Sequence, residues 1–60
     1  MTPGFVAAVL EGFEGTLEEV LDRLEEDSLK REVTTLREHI AHKRQEFEAQ
    51  DARDLAAAIS

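Results

Sequence analysis

Large apolar residues recur every three or four positions in two stretches of this chain. The first is Leu10, Phe13, Leu17, Val20 with Leu21, and Leu24; the second is Leu29, Val33, Leu36, Ile40 and, two turns on, Phe47. That spacing lays one stripe along each of two α-helical segments. From Leu24 to Leu29, at roughly 100° per residue, the stripe turns by about 140°. One straight helix would bury both stripes poorly against a single neighbour. The pattern therefore predicts an all-α helical hairpin that reverses near residues 25 to 28 and faces its two stripes together. The alternative is one long helix whose halves meet different partners.

Capping chemistry bears on where the reversal falls. Thr2-Pro3 reads as a helix start, with Thr2 at the N-cap and Pro3 at the first helical position. Three acids, Glu25, Glu26 and Asp27, oppose the macrodipole at a helix C-terminus but suit the start of the next helix, with Asp27 or Ser28 as its cap. Against a turn here, no Gly or Pro follows Gly15, and tight reversals commonly use Gly. The competing turn is Gly12-Phe13-Glu14-Gly15. It is followed by Thr16-Leu17-Glu18-Glu19, a capping-box pattern that could restart a helix after a kink. The stripe passes from Leu10 and Phe13 to Leu17 in phase, which favours a helix continuous through both glycines.

The second helix is expected from about Leu29 to Ile59, with its stripe thinning after Ile40 where Lys43 or Arg44 takes the next position. Lys30, Arg37 and Arg44 stand seven apart beside that stripe, where bases pair with acids on a neighbouring helix. The apolar tail Leu55-Ala56-Ala57-Ala58-Ile59 is expected beside Phe5 to Leu10 of the first helix.

Size makes association part of this picture. Sixty residues form a single small domain spanning 1–60, and below about 70–80 residues one core rarely supplies more than about 3–5 kcal/mol. The chain has no cysteine to compensate. Leu, Ile, Val and Phe still make up about a quarter of it, above the roughly 20% that marks disorder. A homodimer of hairpins forming a four-helix bundle is the expected solution. Its core is assigned to Leu17, Val20, Leu21, Leu24, Leu29, Val33, Leu36 and Ile40. Phe5, Val6, Leu10, Phe13, Phe47 and Ile59 are the candidate anchors for another protein.

Charge narrows the classes of partner. The net charge is −7, and residues 1 to 28 hold eight acids against Arg23 alone, whereas residues 29 to 60 hold six of each sign. A general phosphate-backbone binder needs a basic face, so a nucleic-acid partner is disfavoured. Its remaining forms are an RNA-binding face of Lys30, Arg31, Arg37, Lys43 and Arg44, or a DNA-mimic decoy built on Glu11, Glu14, Glu18, Asp22, Glu25 and Glu26. No apolar run approaches the roughly 20 residues of a membrane span. The lack of cysteine and of a basic leader fits the cytoplasm.

Candidate chemistry is sparse. His39 and His42, with Glu38 and Glu46, match neither the His-Glu-x-x-His of zinc proteases nor the Glu-x-x-His of di-iron bundles. They read as surface histidines beside glutamates, with no metal or cofactor. No Cys, Tyr, Trp or glycine-rich phosphate loop is present, so no enzyme is expected. The sequence points to a small acidic protein-binding modulator (inhibitor, adaptor or escort) acting as a homodimer. A purely structural oligomerisation module is the alternative.

Overall fold

A computed structural model describes residues 2–59 of the chain. It contains two helices, α1 (Pro3–Arg23) and α2 (Asp27–Ile59), packed as an antiparallel hairpin. Thr2 caps α1: its hydroxyl accepts a hydrogen bond from the Phe5 amide at 3.2 Å, and Pro3 opens the helix where its missing N–H costs nothing.

Helix α1 runs unbroken through Gly12 and Gly15. A Cβ at either glycine would meet nothing within 4 Å, so neither residue serves close packing between α1 and α2. Thr16, read as a possible cap, instead donates its hydroxyl back to the Gly12 carbonyl at 3.1 Å inside the continuous helix.

The reversal falls at Leu24-Glu25-Glu26 and uses no glycine. Leu24 turns extended (φ −74°, ψ 138°) while its amide still bonds the Val20 carbonyl at 3.0 Å. Among the described residues none has a positive φ, which is why the absence of Gly is no obstacle. On the far side the Lys30 amide bonds the Glu26 carbonyl at 3.0 Å. Asp27 occupies the first turn of α2, where its charge complements the helix dipole.

The two helices differ in length, 21 residues against 33. At about 1.5 Å per residue, α2 alone accounts for the 51 Å long axis of the molecule. Gly4 lies against Asp51, whose carboxylate is 3.0 Å from where a Cβ would stand. Residues 52–59 therefore extend about two turns past the start of α1. The expected pairing of the Leu55–Ile59 tail with Phe5 to Leu10 is not made: Leu55 and Ile59 are exposed, Ile59 at 88%. The reason is length, since α2 runs on for residues 52–59 beyond the level at which α1 starts.

Candidate protein-binding surface

The contact between α1 and α2 is built from one side of each helix. On α1 the half-buried positions include Val6, Leu10, Glu14, Leu17 and Leu21, with Leu24 just past its end; on α2 they include Val33, Arg37, Ile40, Arg44, Phe47 and Asp51. Ala7 alone among the described residues is buried, at 6% exposure. A two-helix sandwich has no interior, so each leucine keeps part of its surface in water.

Two interhelical ion pairs set the register of this seam. Arg37 reaches Glu18 at 2.8 Å. Arg44 reaches Glu14 through Nε and, at 3.4 Å, through a terminal nitrogen, while its other terminal nitrogen holds Glu48 at 2.8 Å. Both partners are shielded, with side chains 22% and 17% exposed, and Glu14, then Glu48, raise the pKa of the guanidinium above its ordinary value. The pairing of seven-spaced bases with α1 acids is as the sequence suggested for Arg37 and Arg44. Arg37 Nε, by contrast, is buried with no hydrogen-bond partner among the described residues.

Beyond the seam the molecule has two unlike faces. Glu11, Glu14, Gly15, Glu18 and Arg44 line a shallow, open, charged groove on one of them. The other is apolar. Taking roughly 100° per residue, Phe5, Val9, Phe13 and Val20 lie on one side of the seam stripe of α1, and Leu29 and Leu36 lie on the corresponding side of the α2 stripe. Because the helices are right-handed and antiparallel, those sides coincide. All six are exposed, Phe5 at 56% and Phe13 at 53%.

The structure thus divides the expected site residues. Leu17, Leu21, Leu24, Val33 and Ile40 sit in the seam as core positions, and Val6 and Leu10 join them there, half-buried rather than presented as anchors. Val20, Leu29 and Leu36, read as core, lie on the open apolar face with Phe5 and Phe13. Phe47 is half-buried at the seam edge beside an open depression it forms with Glu46, Gln50 and Arg53. Ile59 stands on the α2 extension. Val9 belongs to the broad apolar face that Phe5, Val6, Leu10 and Phe13 form in the sequence, although it is not among the candidate anchors. Its spacing from Phe5 and Phe13 was the available signal, but only the choice of seam shows that the three share an open face.

Both histidines are exposed. His42 Nε2 and Lys43 Nζ each stand 3.2 Å from a Glu46 oxygen, and Lys43 foremost, then His42, lower the Glu46 pKa. Among the described residues no cluster of three His, Asp or Glu is placed to hold a metal ion, and no helix is long and apolar enough to cross a membrane. No family model, no curated protein and no solved structure matches the chain.

Proposed function

We propose that this chain is a small acidic protein-binding modulator that acts without catalysis, as a homodimer whose two hairpins form a four-helix bundle. The observation that carries the reading is the ratio of exposed to buried apolar surface. Ala7 is the single buried residue described, while eight large apolar side chains stand 38–88% exposed. Monomeric proteins rarely leave so continuous an apolar patch open, and such patches mark sites of association.

The apolar surface falls into two parts suited to two uses. The broad face of Phe5, Val9, Phe13, Val20, Leu29 and Leu36 spans both helices and suits a second hairpin. Leu55 and Ile59, on the α2 extension, lie outside that face and suit the groove of another protein, in the manner of a helix that docks by residues one turn apart. The surface is acidic and the bases of the seam are engaged by Glu14, Glu18 and Glu48. Those engagements weigh against the RNA-binding alternative, which requires Arg37 and Arg44 to be free for phosphate.

The test is affinity capture from native lysate with nuclease present, comparing the wild type with a Leu55→Asp, Ile59→Asp variant, alongside sedimentation analysis of each. A stoichiometric protein retained by the wild type and lost by the variant, both dimeric, is the expected result. Recovery of the chain with itself alone would leave the structural module as the better reading.

A further inference from the structure

We infer that the occupant of the broad apolar face is a second copy of this chain placed with its turn at the same end, so that α1 of each copy lies on α2 of the other. This rests on the homodimer proposed above and adds the face, the register and the direction. The overlap of α1 with α2 is roughly 30 Å long and two helices, roughly 20 Å, wide. That gives about 600 Å² per copy and about 1,200 Å² in total, the lower bound for a stable interface. A lone foreign helix would cover about half of it.

Two hairpins can meet face to face about a twofold axis in only two ways. If the axis runs along the helices, α1 lies on the partner's α2 and both turns share one end. If the axis crosses them, like helices meet and the turns lie at opposite ends.

Register decides between these. Glu14 with Arg44, Glu18 with Arg37 and Gly4 with Asp51 show which residues of α1 and α2 stand at one level. A twofold axis along the helices preserves levels. It sets Val20 opposite Leu36, Val9 opposite Phe47 and Arg23 opposite Glu32 between copies, and lays the Lys43 stem over Phe13. The crossing axis, placed to overlap the full length of α1, sets Lys43 against its own copy, Leu36 against Gln50 and Glu32 against Asp54. On α2 each match of the first arrangement becomes a like charge or an apolar–polar mismatch in the second, and α1 keeps only apolar contacts with its own copy, Phe13 on Phe13 and Val20 near Val6.

Helix charge points the same way. Five acids stand against Arg23 alone in α1, whereas α2 carries seven acids and six bases. Packing α1 on α1 at about 10 Å, near the Debye length of physiological salt, leaves that repulsion only partly screened. Packing α1 on α2 avoids it. The shared-end arrangement also brings the two α2 extensions, with Leu55 and Ile59, out from one end of the bundle.

The absence of cysteine makes the direction directly measurable by pulsed electron–electron spin resonance. Single spin labels are placed at Glu25→Cys in the turn and at Ala58→Cys on the extension, both exposed. Turns at one end predict label separations within about 25 Å at both sites. Turns at opposite ends predict about 35 Å for the first and about 45 Å for the second. A long distance at either site overturns the direction and leaves the homodimer standing. A monomeric mass with no dipolar signal overturns the homodimer itself. As an independent readout, Arg23→Glu weakens self-association about fivefold and Glu32→Lys in the same chain restores it; absence of that rescue contradicts the register.

Discussion

Arg44 of α2 holds Glu14 of α1 at the level where both apolar stripes are interrupted, between Leu10 and Leu17 on one helix and between Ile40 and Phe47 on the other. Opposite charges thus stand at matching gaps in the two apolar stripes of the seam. A slip of one turn would separate Glu14 from Arg44 and move them towards apolar positions of the facing stripe, Ile40 or Phe47 for Glu14 and Leu10 or Leu17 for Arg44. The pair acts chiefly as a register key, since a shielded ion pair loses in desolvation much of what it gains in attraction.

That role predicts opposite outcomes for single and double replacements. Glu14→Leu or Arg44→Leu alone lowers the melting temperature, because the charge that remains has lost its partner across the seam. Glu14→Leu combined with Arg44→Leu melts at or above the wild type, as an all-apolar seam needs no desolvation of charge. Thermal melts followed by far-ultraviolet circular dichroism check both. If the pair sets register, the double variant also gives broader amide resonances from hairpins in more than one alignment.

Leu21 and Leu36 both belong to the apolar pattern of the sequence, but the structure gives them different neighbours. Leu21 is half-buried in the seam and Leu36 is open. Leu21→Asp therefore abolishes helicity and association together. Leu36→Asp leaves the hairpin contacts in place and removes the proposed dimer, an outcome seen as a halved mass by sedimentation. Leu21→Ala, truncating a half-buried leucine, costs about 1–2 kcal/mol, measured by urea unfolding at fixed protein concentration.

Glycine replacements read the local surroundings of α1. Gly15→Ala and Gly12→Ala each place a methyl where nothing stands within 4 Å in the hairpin. Each should therefore gain up to about 1 kcal/mol from helix propensity. Gly4→Ala gains less, because its Cβ would stand 3.0 Å from the Asp51 carboxylate, which must swing aside. Urea midpoints of the three variants rank them.

The Glu46 carboxyl lies below the ordinary glutamate range because of Lys43 and, secondarily, His42. A carboxylate depressed in the folded state adds stability that is present above its unfolded pKa and is lost as pH falls through the folded one. This contribution accordingly disappears on acidification below the ordinary glutamate value. A carbon-detected titration of Glu46 should show a midpoint below the ordinary value that moves upward in Lys43→Met. An unmoved midpoint would remove Lys43 as the cause.

Much of the hairpin was legible in one dimension. The phase break between Leu24 and Leu29 located the reversal, the Thr2-Pro3 start was written in capping chemistry, and the in-phase stripe carried α1 through its glycines. These depend on near neighbours, within a turn or two, and a helical period records them. The Gly-free turn was harder to read, because the extended backbone of Leu24 is available to any residue and leaves no compositional mark.

Packing between the helices chose which part of a broad apolar face each turns towards the other. Periodicity admits both Phe13 and Glu14 to the middle of the α1 stripe, and hydropathy alone favours Phe13. The structure selects Glu14, because Arg44 stands at the same level on α2 and their mutual attraction offsets the desolvation of each. That choice rotates α1 enough to turn Phe5, Val9, Phe13 and Val20 outward, alongside Leu29 and Leu36. Helix length did the rest: α1 starts at the level of Asp51, so Leu55 and Ile59 stand clear of it. Two amphipathic helices and the place where they part follow from local period and capping, which the order of residues already contains. The open face and the projecting end arise from pairing residues some thirty positions apart, a relation that no local pattern contains.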